Sequence, residues 1–261
     1  LLLTATTSEV FRFGRPNKMT GVQVNYTVNP TFDFSAWVVN RSESETTHDD
    51  FNDNNESKSI GGRIGITPLH QDTLLNFGIG TFSGDEKEGD EPGRRSVLDL
   101  DFTYAPNPDF FAAGEFFWGK ESHVSLRQRG IPFSTPALED SDVNWWGMYL
   151  IAHQDWNDWF SFSGRYGFFH DDDGARTGVP QDLQSITLCP IIHLSRLIPD
   201  LRPTGSTYAR TRHAIDWVDL RFEYRFNHSD QPVFSDAEPA TDILEADDSG
   251  HQFQIQMLVN F

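Results

Sequence analysis

The last eleven residues, His251 to Phe261, constrain this chain most. Phe253, Ile255, Met257, Val259 and Phe261 hold every second position, and Gln252, Gln254, Gln256 and Asn260 stand in four of the gaps between and before them. Successive side chains of a strand point to opposite faces, so this pattern gives one apolar face and one wet face. The alternation is too regular for a helix, whose apolar positions would recur at three and four.

The same rhythm runs through the rest of the sequence. Phe11 and Phe13 alternate with Val10 and Arg12 in a first candidate strand, Glu9 to Gly14. Val22, Val24, Tyr26 and Val28 follow, then Phe32, Phe34, Ala36 and Val38 after the turn residues Asn29-Pro30. Ile64 and Ile66, Leu75 to Ile79, and Leu98 to Tyr104 continue it. Phe110 to Trp118, Asn144 to His153, Phe160 to Phe168, Ile186 to Leu194, Val218 to Asn227 and the terminal run complete twelve expected strands. Val218 to Asn227 is the clearest. Its apolar row, Val218, Leu220, Phe222, Tyr224 and Phe226, is strongly aromatic, and Asp219, Arg221, Glu223 and Arg225 alternate in sign on the other face.

Connection lengths give independent information. Short connections are expected at 29–30, 68–72, 106–109 and 155–158, and long ones at 41–58, 83–95, 120–142, 171–182 and 228–250. Short and long therefore alternate, as if one end of the sheet carried tight turns and the other carried loops. Only 196–212 breaks the rule. A single helical turn fits Leu194 to Leu201 before Pro203, and no sustained helical period appears elsewhere.

Composition alone points to a soluble acidic protein, with net charge −19 and mean hydropathy −0.49. No apolar run reaches the roughly 18 residues that a membrane-spanning helix needs. A barrel escapes that test because only alternate residues meet lipid. The 22 Phe, 7 Trp and 6 Tyr suit a protein with aromatic girdles at two membrane interfaces. Negative charge without a basic stripe disfavours nucleic acid as a partner. Gly61-Gly62 and Gly78/Gly80 lie within strand patterns, so no phosphate-cradling loop is present. The single cysteine, Cys189, reads as a small strand residue and supplies neither a disulfide nor a metal-site spacing.

With its aromatic terminus, the last strand resembles the closing strand of bacterial outer-membrane β-barrels. Taken with the aromatic alternating strands and the loop asymmetry, nearly the whole chain resembles the OmpL-like β-barrel porin family of Gram-negative bacteria. The resemblance implies an all-β fold, a transmembrane antiparallel up-and-down barrel of about 12 strands, with residues 1–261 forming one domain. More strands are expected if the chain is a truncated portion. It implies passage of small hydrophilic solutes or ions through a polar lumen in the bacterial outer membrane, with the carboxy-terminus in the periplasm. Outer-membrane lipid and lipopolysaccharide would surround it, a homo-oligomer is an expected assembly, and no cofactor is implied. Export needs a signal that Leu1 to Thr6 does not provide, so either it has been removed or the chain starts within a longer precursor.

On this reading the pore-lining charges are Arg12, Asp33, Arg63, Asp99, Asp101, Glu115, Arg165, Asp219, Arg221, Glu223 and Arg225. They serve either as ion pairs filling a narrow barrel or as opposed basic and acidic walls that order passing solutes. Arg221→Ala and Arg225→Ala should then shift selectivity toward cations. Residues 120–142 mix Arg127 and Arg129 with the apolar Phe133, as a constriction loop folded into the pore would. Acidic residues crowd the other long connections, for instance Asp49, Asp50 and Asp53, solvating them or drawing cations, but no calcium-loop spacing or other metal site appears.

Alternatives remain at this point. The barrel could sheathe a partner in an electron conduit or another export complex, although the chain has no haem-attachment motif of its own. It could be an outer-membrane hydrolase, but His228 and Ser229 are adjacent and point to opposite faces of an extended chain. His170 to Asp173 and the pair Asp155 and Asp158 only faintly resemble aspartyl-type protease sites. A soluble acidic β-sandwich binding module is the third. The expectation is that the chain is not an enzyme.

Overall fold

A computed structural model gives the fold; it describes residues 3–8, 10–15, 18–43, 57–70, 73–85, 93–124, 141–198, 218–235 and 246–259. Eleven antiparallel strands form one sheet: β1 (Lys18–Asn29), β2 (Phe32–Glu43), β3 (Ser59–His70), β4 (Leu74–Asp85), β5 (Arg94–Asn107), β6 (Phe110–Val124), β7 (Ser141–Asp155), β8 (Phe160–Asp171), β9 (Gln181–His193), β10 (Val218–Ser229) and β13 (Ser249–Val259). Each pairs with the next in chain order, and β10 pairs with β13 across a two-stranded ribbon, β11 (Phe234–Ser235) and β12 (Ala246–Asp247). The sheet's edges are β1 and β13, with no ladder between them among the described residues. A short turn of helix, α1 (Leu194–Leu197), follows β9.

Three of the four tight turns share one device. Asn29 Oδ1 accepts the N–H groups of Thr31 and Phe32 at 2.9 and 3.0 Å. Asn107 does the same for Asp109 and Phe110, and Asn157 for Trp159 and Phe160. An asparagine two residues before the turning backbone imitates a main-chain turn with its own amide, which lets the chain reverse in two to four residues. The tight ends are 30–31, 71–73, 108–109 and 156–159, against 44–58, 86–93, 125–140, 172–180 and 230–248 at the other end. Residues 194–217 are the exception, as the sequence suggests.

Strand parity sorts the side chains into two surfaces. Outward stand Val22 (71% exposed), Ile64, Ile79, Leu150, Ile186, Tyr224, Phe253 (65%), Ile255 and Met257. Soluble monomers rarely expose contiguous apolar patches of more than a few hundred Å², so a row of this extent fits hydrocarbon rather than water. Aromatic pairs gather toward both ends of this surface. Tyr26–Phe34, Tyr104–Phe110 and Trp159–Phe160 lie near the tight turns, and Phe116–Trp146–Phe168 with His170 lies toward the loops.

The first expected strand is corrected. Val10 to Gly14 forms one π-helical turn, and the described residues of 3–15 lie against the inner face of the sheet rather than in it. Four alternating residues are too few to separate a strand from a turn. What decides the matter is where the backbone groups go: the carbonyls of Thr7, Phe13 and Gly14 are taken by side chains of the wall, not by a ladder.

Candidate functional site

The inner face divides into two halves. On β2 to β5 the charges pair with one another along the wall, Arg63 of β3 reaching β2 and β4 beside it and crossing over β4 to β5. Arg63 forks onto Asp101, with Nε–Oδ2 at 2.8 Å and Nη2–Oδ1 at 2.6 Å, and also reaches Asn76 at 3.0 Å and Asp33 at 3.6 Å. Planar two-point contact is what guanidinium and carboxylate geometry favours. Gly78 makes the room, since a Cβ there would stand 2.1 Å from Asp101 Oδ2 and 2.2 Å from Arg63 Nη2. Asp99 stands two residues from Asp101 on the same row, and its Oδ1 is buried without a hydrogen-bond partner among the described residues. Arg95 and Glu121 pair at 2.9 Å nearer the loops.

Across β6 to β10 the partners come instead from residues 3–15. The Glu223 carboxylate accepts the N–H groups of Ala5 and Thr6 at 2.6 and 3.2 Å, and the Thr6 hydroxyl as well. Arg165 donates to Thr4 Oγ1 at 2.8 Å and to the Thr7 carbonyl at 3.3 Å, and Arg225 donates to that same carbonyl at 3.0 Å. Arg165 and Arg225 both sit opposite Thr187, in one row across three strands. Their mutual repulsion is eased by the carbonyls laid over them. Farther along, Arg15 donates to both oxygens of buried Glu115 at 2.9 Å.

An apolar layer completes this half. Phe117, Trp145 and Phe169 are fully buried, Phe13 lies 6.0 Å from Phe169, and Trp145 Nε1 donates to the Gly14 carbonyl at 2.9 Å. Arg176, from the connection after β8, stacks on Trp145 at 4.9 Å and donates to the Phe13 carbonyl. Gly14 has to be glycine for this approach, because a Cβ would fall 1.7 Å from the Phe117 ring. A cavity of about 240 Å³ is left beside the segment, lined among others by Arg15, Trp37, Arg63, Asp99 and Glu115.

Two hydrogen-bond relays, which sequence reasoning missed, lie near the tight turns. Ser161 Oγ is 3.1 Å from His193 Nε2, and His193 Nδ1 is 2.9 Å from Asp219 Oδ1. His153 bridges Ser163 at 2.8 Å and Asp155 at 3.1 Å. The first has the connectivity of a nucleophile, base and orienting acid. Ser161 is fully buried, however, so the arrangement reads as a bolt across β8, β9 and β10. Nothing in sequence spacing signals it, because its members lie on three separate strands. Arg221, 4% exposed, reaches Asp219 at 3.8 Å, and its Nε and Nη1 find no hydrogen-bond partner among the described residues.

The other sequence candidates are placed as follows. Arg12 stands on the helical turn rather than on a strand, with its guanidinium 5.1 Å from the Phe13 ring, which corrects its expected position. His228 and Ser229 point to opposite faces, and Ser229 donates to Gln181. His170 pairs with Asp182, and Asp171 is buried holding the Arg176 and Thr177 N–H groups. Asp155 and Asp158 border a small cavity with Asp109 and Arg196. Arg127, Arg129 and Phe133, with most of the acidic connections and Phe261, lie outside the described residues. Among the described residues no group of His, Cys, Asp or Glu is arranged to hold a metal ion.

This architecture has a counterpart among known families. The model of the family described as "Putative beta-barrel porin-2, OmpL-like" matches residues 3–261. The chain belongs to that β-barrel porin family. The match takes in residues 3–15 along with the strands, so the inner segment falls within the family's span. The structure is similar to the crystal structure of the outer membrane channel DcaP of Acinetobacter baumannii, at 10% identity and a TM-score of 0.49. That alignment covers 84% of this chain and 59% of that channel, so the chain spans about three fifths of the channel's length. No curated protein matches the sequence.

Proposed function

We propose that this chain forms an outer-membrane channel through which small hydrophilic solutes and ions diffuse passively. One observation carries the reading: the same strands that turn an aromatic and aliphatic row outward turn Asp33, Arg63, Asp99, Asp101 and Glu115 inward. A soluble sandwich would bury the apolar row between two sheets and show the charged row to water. Here there is one continuous sheet, and Tyr224, Ile255 and Val259 are on the outside while Arg221 is buried.

The tight turns belong in the periplasm, with the carboxy-terminus, and the long acidic connections outside, where divalent ions can bridge them to lipopolysaccharide. A homo-oligomer in the plane of the membrane is compatible with the outward surface. The segment laid over β6 to β10 already occupies part of the inner face, which favours a channel over a sheath. Planar-bilayer recording tests the reading. Discrete conductance steps from heat-modifiable folded protein are expected, and folded protein that never conducts would point to a closed structural or enzymatic barrel.

A further inference from the structure

Residues 3–15 contact β6, β7, β8 and β10 and the connection after β8 through Glu115, Trp145, Arg165, Glu223, Arg225 and Arg176. The contacts are of three kinds: charge-assisted hydrogen bonds, an aromatic seat for Phe13, and a close approach that only glycine permits at position 14. A segment that merely strayed inward would not find a partner at each of these points. Its effect on the lumen is asymmetric. It covers the wall that bears Arg165, Arg221 and Arg225, and leaves open the wall that bears Asp33, Asp101 and the partly covered Asp99, where Arg63 and the segment's own Arg15 are the balancing charges.

We infer that residues 3–15 are the channel's selectivity element. Docked, they hide the arginine wall and confine solutes to a narrow carboxylate-lined path, so the channel prefers small cations. Undocked, they open a wider path with charges of both signs. This inference rests on the channel reading, and it gives the constricting role to a segment far in sequence from residues 120–142. Charge on one side of a narrow, low-dielectric path is enough to sort small ions, because the field is poorly screened there.

Cys189 provides a reporter. It is fully buried on the inner side of β9, with the Ala5 backbone beside its sulfur, so its thiol is covered while the segment is docked. The test uses the full chain in liposomes and planar bilayers. Two variants on the segment, Gly14→Val and Phe13→Ser, remove the seat without touching a wall charge, and heat-modifiable mobility checks that each has folded. Wild-type protein should pass K⁺ over Cl⁻ by roughly fivefold and resist a small methanethiosulfonate reagent. Both variants should label Cys189 about tenfold faster, conduct more, and lose most of the cation preference. An Ala5→Cys variant, oxidised to Cys189, should keep the wild-type selectivity.

Equal labelling rates in wild type and both variants would overturn the inference, as would a wild-type channel that prefers Cl⁻ or variants whose selectivity is unchanged. Protection of Cys189 together with an absence of conductance in wild type and variants alike would sink the channel reading, and the selectivity role with it. Conduction with no difference between wild type and variants would sink the inference alone.

Discussion

The two halves of the inner face solve the same problem differently. On β2 to β5, Arg63, Asp33, Asn76 and Asp101 satisfy one another over four consecutive strands, with Gly78 on the intervening β4 giving the Arg63–Asp101 pair its space. On β6 to β10, the wall's charges are satisfied by a segment a hundred or more residues away in sequence. The first half is self-contained and wet. The second is a wall built to receive something, and it loses its partners if that segment leaves. Breaking one half should therefore behave unlike breaking the other.

The largest effect is expected at Glu223. Its replacement by alanine strips the acceptor from Ala5, Thr6 and the Thr6 hydroxyl, and leaves Arg221 and Arg225 on the same row with less opposing charge. Breaking a buried, hydrogen-bonded charge cluster from one side costs about 3–5 kcal/mol. Denaturant unfolding of the protein in lipid vesicles measures it, and a loss below about 1 kcal/mol would mean that the segment does not hold this wall together.

Arg63→Ala is the matched experiment on the other half. Its pairs are partly solvated, so screening reduces the loss to about 1–2 kcal/mol. The larger consequence is electrical. Removing the balancing cation from beside Asp33, Asp99 and Asp101 should raise cation preference by about twofold, read from the reversal potential in a salt gradient. A reversal potential that does not move would place this wall off the conduction path.

Arg221 sharpens the contrast further. From the sequence, Arg221→Ala and Arg225→Ala should shift selectivity as pore-wall substitutions do. In the fold Arg221 is buried, with two N–H atoms lacking partners among the described residues, and Arg225 is bonded to Thr7. While the segment is docked, Arg221→Ala should move the reversal potential less than Arg63→Ala does. It should also cost little stability, because a buried guanidinium with unmet hydrogen bonds contributes little to lose. In the Gly14→Val background the same substitution should act on selectivity at full strength. Identical shifts in both backgrounds would mean that both walls face the solute all the time.

These contrasts also show how much was legible in the sequence. Parity placed Phe222, Tyr224 and Ile255 outside and Arg165, Glu223 and Arg225 inside, because an extended chain fixes side-chain direction and needs no knowledge of partners. Alternation plus connection length likewise located eleven strands, and the odd connection expected at 196–212 falls within the stretch between β9 and β10, 194–217. Pairing across a long separation was not legible. Phe11 and Phe13 alternate as in a strand, and only the seat formed by Phe117, Trp145 and Phe169 shows why the chain coils there instead. The Ser161, His193 and Asp219 relay was hidden for the same reason, since register and not spacing brings it together.

The smallest effect serves as the control that the halves differ only on their inner faces. Asn107 begins a tight turn between β5 and β6, beside the open half, and Asn157 begins one between β7 and β8, under the filled half. Each accepts two backbone N–H groups, at 2.9 and 3.0 Å in both turns. Both sites face water, so losing the amide costs only the net value of exposed hydrogen bonds, about 0.5–1.5 kcal/mol. Asn107→Ala and Asn157→Ala should therefore lower the unfolding midpoint by equal amounts and leave selectivity alone. A markedly larger loss at Asn157 would show that the difference between the halves reaches the tight-turn end, through the His153 and His193 relays, and is not set by residues 3–15 alone.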